Sequence, residues 1–266
     1  MANLLDAIIL GIIQGIAEWL PISSTGHLRL ADHFLGLDLP ILYAITLHIG
    51  TLIVIFIFFR KDIKNIITAL AHRDFKSENG KLIPLIIVGS VPTALVGASL
   101  VLSNIIETVF NQVTPIALAL IVCGFLLYAS KLARENTDVL SYKTALVFGI
   151  AQGIATLPGI SRSGTTIAVA LLLGLNREKA FRFSFLMSIP AIIGALGLTL
   201  FQEHEALMRS GFGLAEIAVG ALVAMLVGYV ALYAVHKTIE NKKFYLFAFY
   251  CWVFGAAMLI LGLNGF

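Results

Sequence analysis

Six apolar runs of about 20 residues follow one another along this chain, joined by short polar links. A run of that length crosses the ~30 Å hydrocarbon core of a bilayer as one α-helix, and no open strand can do so. Charged residues make up only 12% of the 266, against roughly 25% in an ordinary soluble domain. No stretch is polar enough to form a soluble domain, so the expected class is an all-α polytopic membrane protein. The net charge of +3 is spread over the links, which argues against nucleic acid as a partner. Cys123 and Cys251 lie in separate apolar runs and are expected to act as small hydrophobes, with neither disulfide nor metal. The start, "MANLLDAIILG", has no basic leader and carries Asp6, so a cleaved signal peptide is not expected.

The spans are expected near 40–59, 82–102, 116–132, 180–201, 214–235 and 244–262. Lys and Arg gather in the links 60–81, 131–143 and 236–243, whereas 103–115 has none and 202–213 has only Arg209. The positive-inside rule puts the first three links in the cytoplasm. Segment 144–175 does not fit a crossing. It follows one cytoplasmic link and ends at Asn176-Arg177-Glu178-Lys179, which belongs to the same side. Its apolar arms, about 144–157 and 165–175, are too short to span. A re-entrant helical hairpin is therefore expected, with "PGISRSG" at its tip. Polar backbone at that depth is tolerated where it lines a wet cavity or is buried in protein.

Shifted by 138 residues, "GIIQGIAEWLPISSTGHLRLADHFLGL" (11–37) lies over "GIAQGIATLPGISRSGTTIAVALLLGL" (149–175) without a gap, with 12 of 27 positions identical. "PISSTGH" should then be the tip of a second hairpin. Each half, about 1–137 and 138–266, becomes one hairpin plus three crossings. An odd number of crossings inverts the second half relative to the first, so the first hairpin enters from outside and the C-terminus lies outside. Inverted repeats put their site at the bilayer midplane, between the halves.

Arg162 is the most informative residue, because a guanidinium at membrane depth is costly unless it is paired or functional. Ser161, Ser163, Thr165 and Thr166 stand around it, at the start of an expected helix whose free N–H groups favour an anion. Hydroxyl donors beside a fork-shaped cation suit phosphate oxygens. At the matching positions of the first tip, Arg162 becomes Ser24, Thr165 becomes His27 and Thr156 becomes Glu18. One lobe is equipped to hold phosphate. The other, with Glu18, Ser24 and His27, is equipped to move protons or supply a nucleophile, and Ser23 and Thr25 add hydroxyls for the substrate. Gln14 and Glu18, one helical turn apart, can offer oxygens to Mg²⁺ or Ca²⁺ if substrate phosphates complete the shell. His48 is expected either to line the site or to tie two helices together. Glu203-His204-Glu205 is expected to be a solvated external loop, and the cationic link 60–81 to meet anionic lipid.

With these residues in hand, "QGIAEWLPISSTGH" and "LPGISRSGTT" in an oily chain of this length resemble the undecaprenyl-diphosphate phosphatase family of the bacitracin-resistance type. The resemblance covers essentially the whole chain. It implies removal of the terminal phosphate from a C55-type polyprenyl diphosphate at the plasma membrane, returning the lipid monophosphate carrier to envelope glycan synthesis. It also implies roles: Gln14 and Glu18 at the E/Q-x-x-x-E positions, Ser24 and His27 as nucleophile and proton-transfer residue, and Arg162 and Thr166 on phosphate. Gln14 stands at the first of those motif positions, and Ala44 where relatives often carry an acid, so metal dependence is open. The oligomeric state is open too, a homodimer included. An acid-phosphatase-type membrane enzyme would need a histidine where this chain has Ala168. A transporter or flippase also uses inverted repeats and an anion-binding arginine, but carriage needs no nucleophile and base.

Overall fold

The computed structural model describes residues 3–36, 41–110, 112–202 and 213–263. The link holding Glu203-His204-Glu205 and the last three residues lie outside that set. Among the described residues the fold is α-helical, with one isolated bridge between Thr137 and Leu175. Five helices are long and apolar enough to cross a membrane, and a bent pair brings the total to six. The chain is a multi-pass membrane protein.

The first hairpin is α1 (Leu4–Trp19) and α2 (Ser24–Leu35), opened by a capping box in which Asn3 and Asp6 satisfy each other's backbone. The second is α8 (Tyr142–Ile154) and α9 (Arg162–Leu172). At 1.5 Å per residue these arms are about 16 to 24 Å long, short of the hydrocarbon core. The two ends of the second hairpin are tied together. Asn136 and Thr137 donate backbone N–H groups to Gly174 O, Asn176 donates to Thr137 O, and Arg177 pairs with Glu135 at 2.9 Å.

The crossing helices are α3 (Ile41–Phe58), α5 (Glu78–Leu102), α7 (Val113–Ala129), α10 (Arg177–Gln202), α11 (Leu214–Glu240) and α12 (Phe247–Leu263), each overlapping an expected span. One correction concerns 60–81. Most of this link is helical: α4 (Arg60–Ala71) turns 75° from α3. Its apolar residues recur at helical spacing, Ile63, Ile66, Ile67 and Leu70, while Arg60, Lys61 and Lys64 occupy another face. Ile63 and Ile66 on that apolar face are partly buried while Ile67 and Leu70 stay exposed; a short turn, α6 (Ile105–Thr108), completes the set.

The two hairpins pack reciprocally. α1 lies on α11 and α8 lies on α5. A Cβ at Gly11 would come 2.7 Å from Gly220 O, and one at Gly149 would come 2.0 Å from Gly89 O. Both obstacles are backbone, so even alanine would force these helix pairs apart. In lipid, where hydrophobic attraction between helices is absent, such close backbone contact supplies the packing energy. Thr93 Oγ1 adds an interhelical hydrogen bond to Gly149 O at 2.9 Å. The cationic links meet at one end of the bundle. Arg182 reaches Asp62 and Glu78, and Lys131 lies over the rings of Tyr128 and Tyr245.

Candidate active site

Both tips are unwound over four to seven residues, and backbone geometry marks each of them. Ser23 holds φ +69°, costly for a residue with a Cβ, and Gly159 holds φ +93° with Ile116 O only 2.3 Å from where a Cβ would sit. Side chains then lock tip to tip. Ser163 Oγ donates to Trp19 O at 3.1 Å, and Cys251 on α12 donates its thiol hydrogen to Pro21 O at 3.3 Å. Residues 144 apart in sequence thus meet in one small polar cluster, the candidate substrate chamber.

Glu18 is the hub of that chamber. Arg162 Nη2 donates to Glu18 Oε1 at 2.5 Å. Ser24 Oγ donates to Oε2 at 2.8 Å, and Gln14 Nε2 donates to the same oxygen at 3.1 Å. His48 Nε2 stands 3.8 Å from it. A buried carboxylate and a partly buried guanidinium are each expensive alone, and this contact makes both tolerable there. It also puts a nucleophile candidate and a phosphate-binding candidate on two oxygens of one carboxylate.

The Ser24 hydroxyl therefore goes to Glu18, and His27 faces elsewhere. His27 Nδ1 donates to Ser23 O at 2.8 Å, which leaves Nε2 as the nitrogen free to exchange a proton. Nε2 meets the Tyr250 hydroxyl at 2.6 Å. His48 is arranged likewise, with Nδ1 donating to Ala44 O at 2.8 Å and Nε2 toward Glu18. His48 on α3 thus both approaches the Glu18 carboxylate and ties α3 to α1, so its two expected roles meet in one contact.

Exposure sorts the remaining candidates. The Arg162 side chain is 21% exposed, Thr25 is exposed, and Ser24 and His27 are partly so. Ser161, Ser163 and Thr166 are buried, and their hydroxyls are engaged within the protein. Ser161 caps α9 by accepting from Gly164 N–H. Thr166 Oγ1 bonds Arg162 O at 2.9 Å and Ser184 Oγ at 2.5 Å, so it braces the start of α9 rather than facing the chamber. Ser23 Oγ is buried without a protein partner.

Gln14 and Glu18 supply the oxygens expected to meet a divalent cation. Both Glu18 oxygens are shared with protein donors, while Gln14 Oε1 is buried and orphaned, one helical turn away. Among the described residues no cluster of three or more His, Cys, Asp or Glu exists that could hold a metal. One carboxylate and one amide oxygen fit Mg²⁺ or Ca²⁺ only when phosphate oxygens fill most of the shell.

Comparison with known proteins shows the family. The family model described as "Bacitracin resistance protein BacA" matches residues 7–257. The chain belongs to the BacA family. The BacA match takes in both hairpins and all six crossing helices almost entirely. The undecaprenyl-diphosphatase of Methanosphaera stadtmanae is 41% identical over 278 residues, covering 98% of this chain and 99% of its own. That of Carboxydothermus hydrogenoformans is 40% identical over 269 residues, covering 99% of each chain. That of Desulforapulum autotrophicum is 38% identical over 277 residues, with 98% and 99% covered.

Two contributors had no signal in the sequence. Ser184 on α10 and Tyr250 on α12 lie in apolar runs where a hydroxyl at helical spacing is ordinary, and only the fold brings them to Thr166 and His27.

Proposed function

We propose that this chain is an undecaprenyl-diphosphatase: it hydrolyses a C55-type polyprenyl diphosphate to the monophosphate and inorganic phosphate, recycling the lipid carrier. The names of its full-length relatives support the substrate. The observation that carries the chemistry is the sharing of Glu18 between the Ser24 hydroxyl and the Arg162 guanidinium. A diphosphate entering the chamber competes with Glu18 for Arg162, because the guanidinium fork suits paired phosphate oxygens. As Arg162 turns to the substrate, Glu18 loses its countercharge while still holding the Ser24 hydroxyl hydrogen. Glu18 then accepts that proton as Ser24 Oγ attacks the terminal phosphorus. The P–O bond to the inner phosphate breaks, the lipid monophosphate leaves, and water later releases phosphate from Ser24. His27 moves the proton exchanged with phosphate oxygen, while Arg162, Ser23 and Thr25 hold the phosphoryl group. The isoprenoid tail lies between helices, open to lipid.

A bound Mg²⁺ or Ca²⁺ would lie on Gln14 Oε1 and Glu18 with the substrate's phosphates and would neutralise their charge. The direct test is phosphate release from C15 and C55 diphosphates by purified protein, with and without chelator. Loss of release in EDTA and its return with Mg²⁺ or Ca²⁺ are expected. Full activity in excess chelator would leave Glu18 with proton transfer and orientation alone.

The same reading makes the two halves inverted repeats about the chamber, in the plasma membrane. The reciprocal seating of α1 on α11 and α8 on α5, through the equivalent glycines Gly11 and Gly149, supports it. Single cysteines introduced in 60–81 should label only from the cytoplasm, and those in 103–115 only from outside. A cysteine replacing Leu263 or Asn264 should label from outside, and its labelling from the cytoplasm would overturn the inverted arrangement.

A further inference from the structure

We propose that Tyr250, with Phe254 one turn later, is the positioning residue that holds His27 for proton transfer, which makes the last helix part of the active site. The inference rests on the reading of His27 as a proton-transfer residue.

The nitrogen at issue is Nε2, since Nδ1 is committed as a donor to Ser23 O. At 2.6 Å the Tyr250 hydroxyl is the partner of Nε2. When the ring is neutral, the hydroxyl donates to the Nε2 lone pair; once Nε2 gains a proton, the same oxygen turns acceptor. A hydroxyl can follow both states of the imidazole without moving its oxygen, which a backbone carbonyl or an ammonium cannot do.

Ring packing fixes the remaining freedom. The Phe254 ring lies parallel to the imidazole, centroids 4.1 Å apart and planes 4° from each other. The Tyr250 ring is close to parallel as well, at 5.7 Å and 17°. Tyr250 and Phe254 are i and i+4 on α12, so one helix face forms the slot, and their own rings stack at 5.5 Å. The imidazole is thereby held through Nδ1 and along one face, and the Tyr250 hydroxyl keeps Nε2 aimed until a phosphate oxygen takes its place on that nitrogen. A flexible histidine would lose most of that orientation, and misplacement by a fraction of an ångström is enough to slow proton transfer.

The test is a double-mutant cycle on lipid diphosphate hydrolysis. Tyr250→Phe keeps the stacked ring and removes only the hydroxyl. It should lower kcat about tenfold or more with KM within about twofold, the range expected for losing one hydrogen bond to an ionising group. Phe254→Leu should lower kcat in the same direction. In a His27→Ala background, Tyr250→Phe should have no further effect, because its action passes through the imidazole. Wild-type kcat in Tyr250→Phe, or losses that multiply in the double variant, would overturn the proposal while leaving His27 in its role. Wild-type kcat in His27→Ala would instead sink the reading on which the proposal stands, and the proposal with it.

Discussion

Arg162→Lys should lower kcat/KM for a polyprenyl diphosphate by at least ~10²-fold, about 2.7 kcal/mol of transition-state stabilisation. Lysine keeps the positive charge and can still face Glu18, so the two tips stay joined. What it lacks is the planar fork that grips two phosphate oxygens together. Truncation to alanine is the poorer experiment. It would leave the Glu18 carboxylate buried without a countercharge, and breaking a buried pair costs roughly 3–5 kcal/mol of stability. Hydrolysis rates, binding of the lipid diphosphate and thermal stability in detergent should be compared across wild type and Arg162→Lys. Normal binding and turnover in the lysine variant would deprive Arg162 of its phosphate role and return a transporter reading to the front.

Ser24→Ala should fall further, by at least ~10⁴-fold in kcat, close to background, because it removes the attacking oxygen itself. Substrate binding should stay within a few fold. The fold should tolerate the change, since Glu18 Oε2 keeps the Gln14 amide as donor and no buried group is orphaned. His27→Ala should also lower kcat strongly with binding nearly unchanged, but leave more activity than Ser24→Ala. The informative failure is a Ser24→Ala protein that hydrolyses at a measurable fraction of the wild-type rate. Water would then be the nucleophile, with Glu18 as its base, and Ser24 would only hold that carboxylate in place.

Much of this architecture was legible before any coordinates. Six runs of spanning length could only be crossing helices, because a lipid-exposed backbone must satisfy its own hydrogen bonds. Two short arms flanking a polar tip read as a hairpin, and the structure has a helical hairpin there, its ends tied by the bridge between Thr137 and Leu175. The 60–81 link was read for its charge alone, and the apolar stripe of its helix shows only when the 3.6-residue period is drawn through Ile63, Ile66, Ile67 and Leu70.

Among the site residues, chemistry could be named from sequence but partners could not. Arg162 stood out because a charge is expensive at membrane depth, and Glu18, Ser24 and His27 because the internal repeat lays them over the Arg162 tip. Their pairing is a different matter. Ser24 and His27, three residues apart on α2, invite a nucleophile–base dyad, yet each is drawn to a separate helix: Ser24 to Glu18 on α1, His27 to Tyr250 on α12. Thr166 lies in the same motif as Arg162, and still its hydroxyl is buried against Ser184. Hydropathy and internal repetition are properties of the chain read locally, so the spans, the hairpins and the list of polar residues at their tips followed from sequence. Which atom donates to which depends on how helices 144 to 223 residues apart are rotated and seated against each other. Close backbone contacts at glycines such as Gly11 and Gly149 decide that seating, and it exists only in the packed bundle.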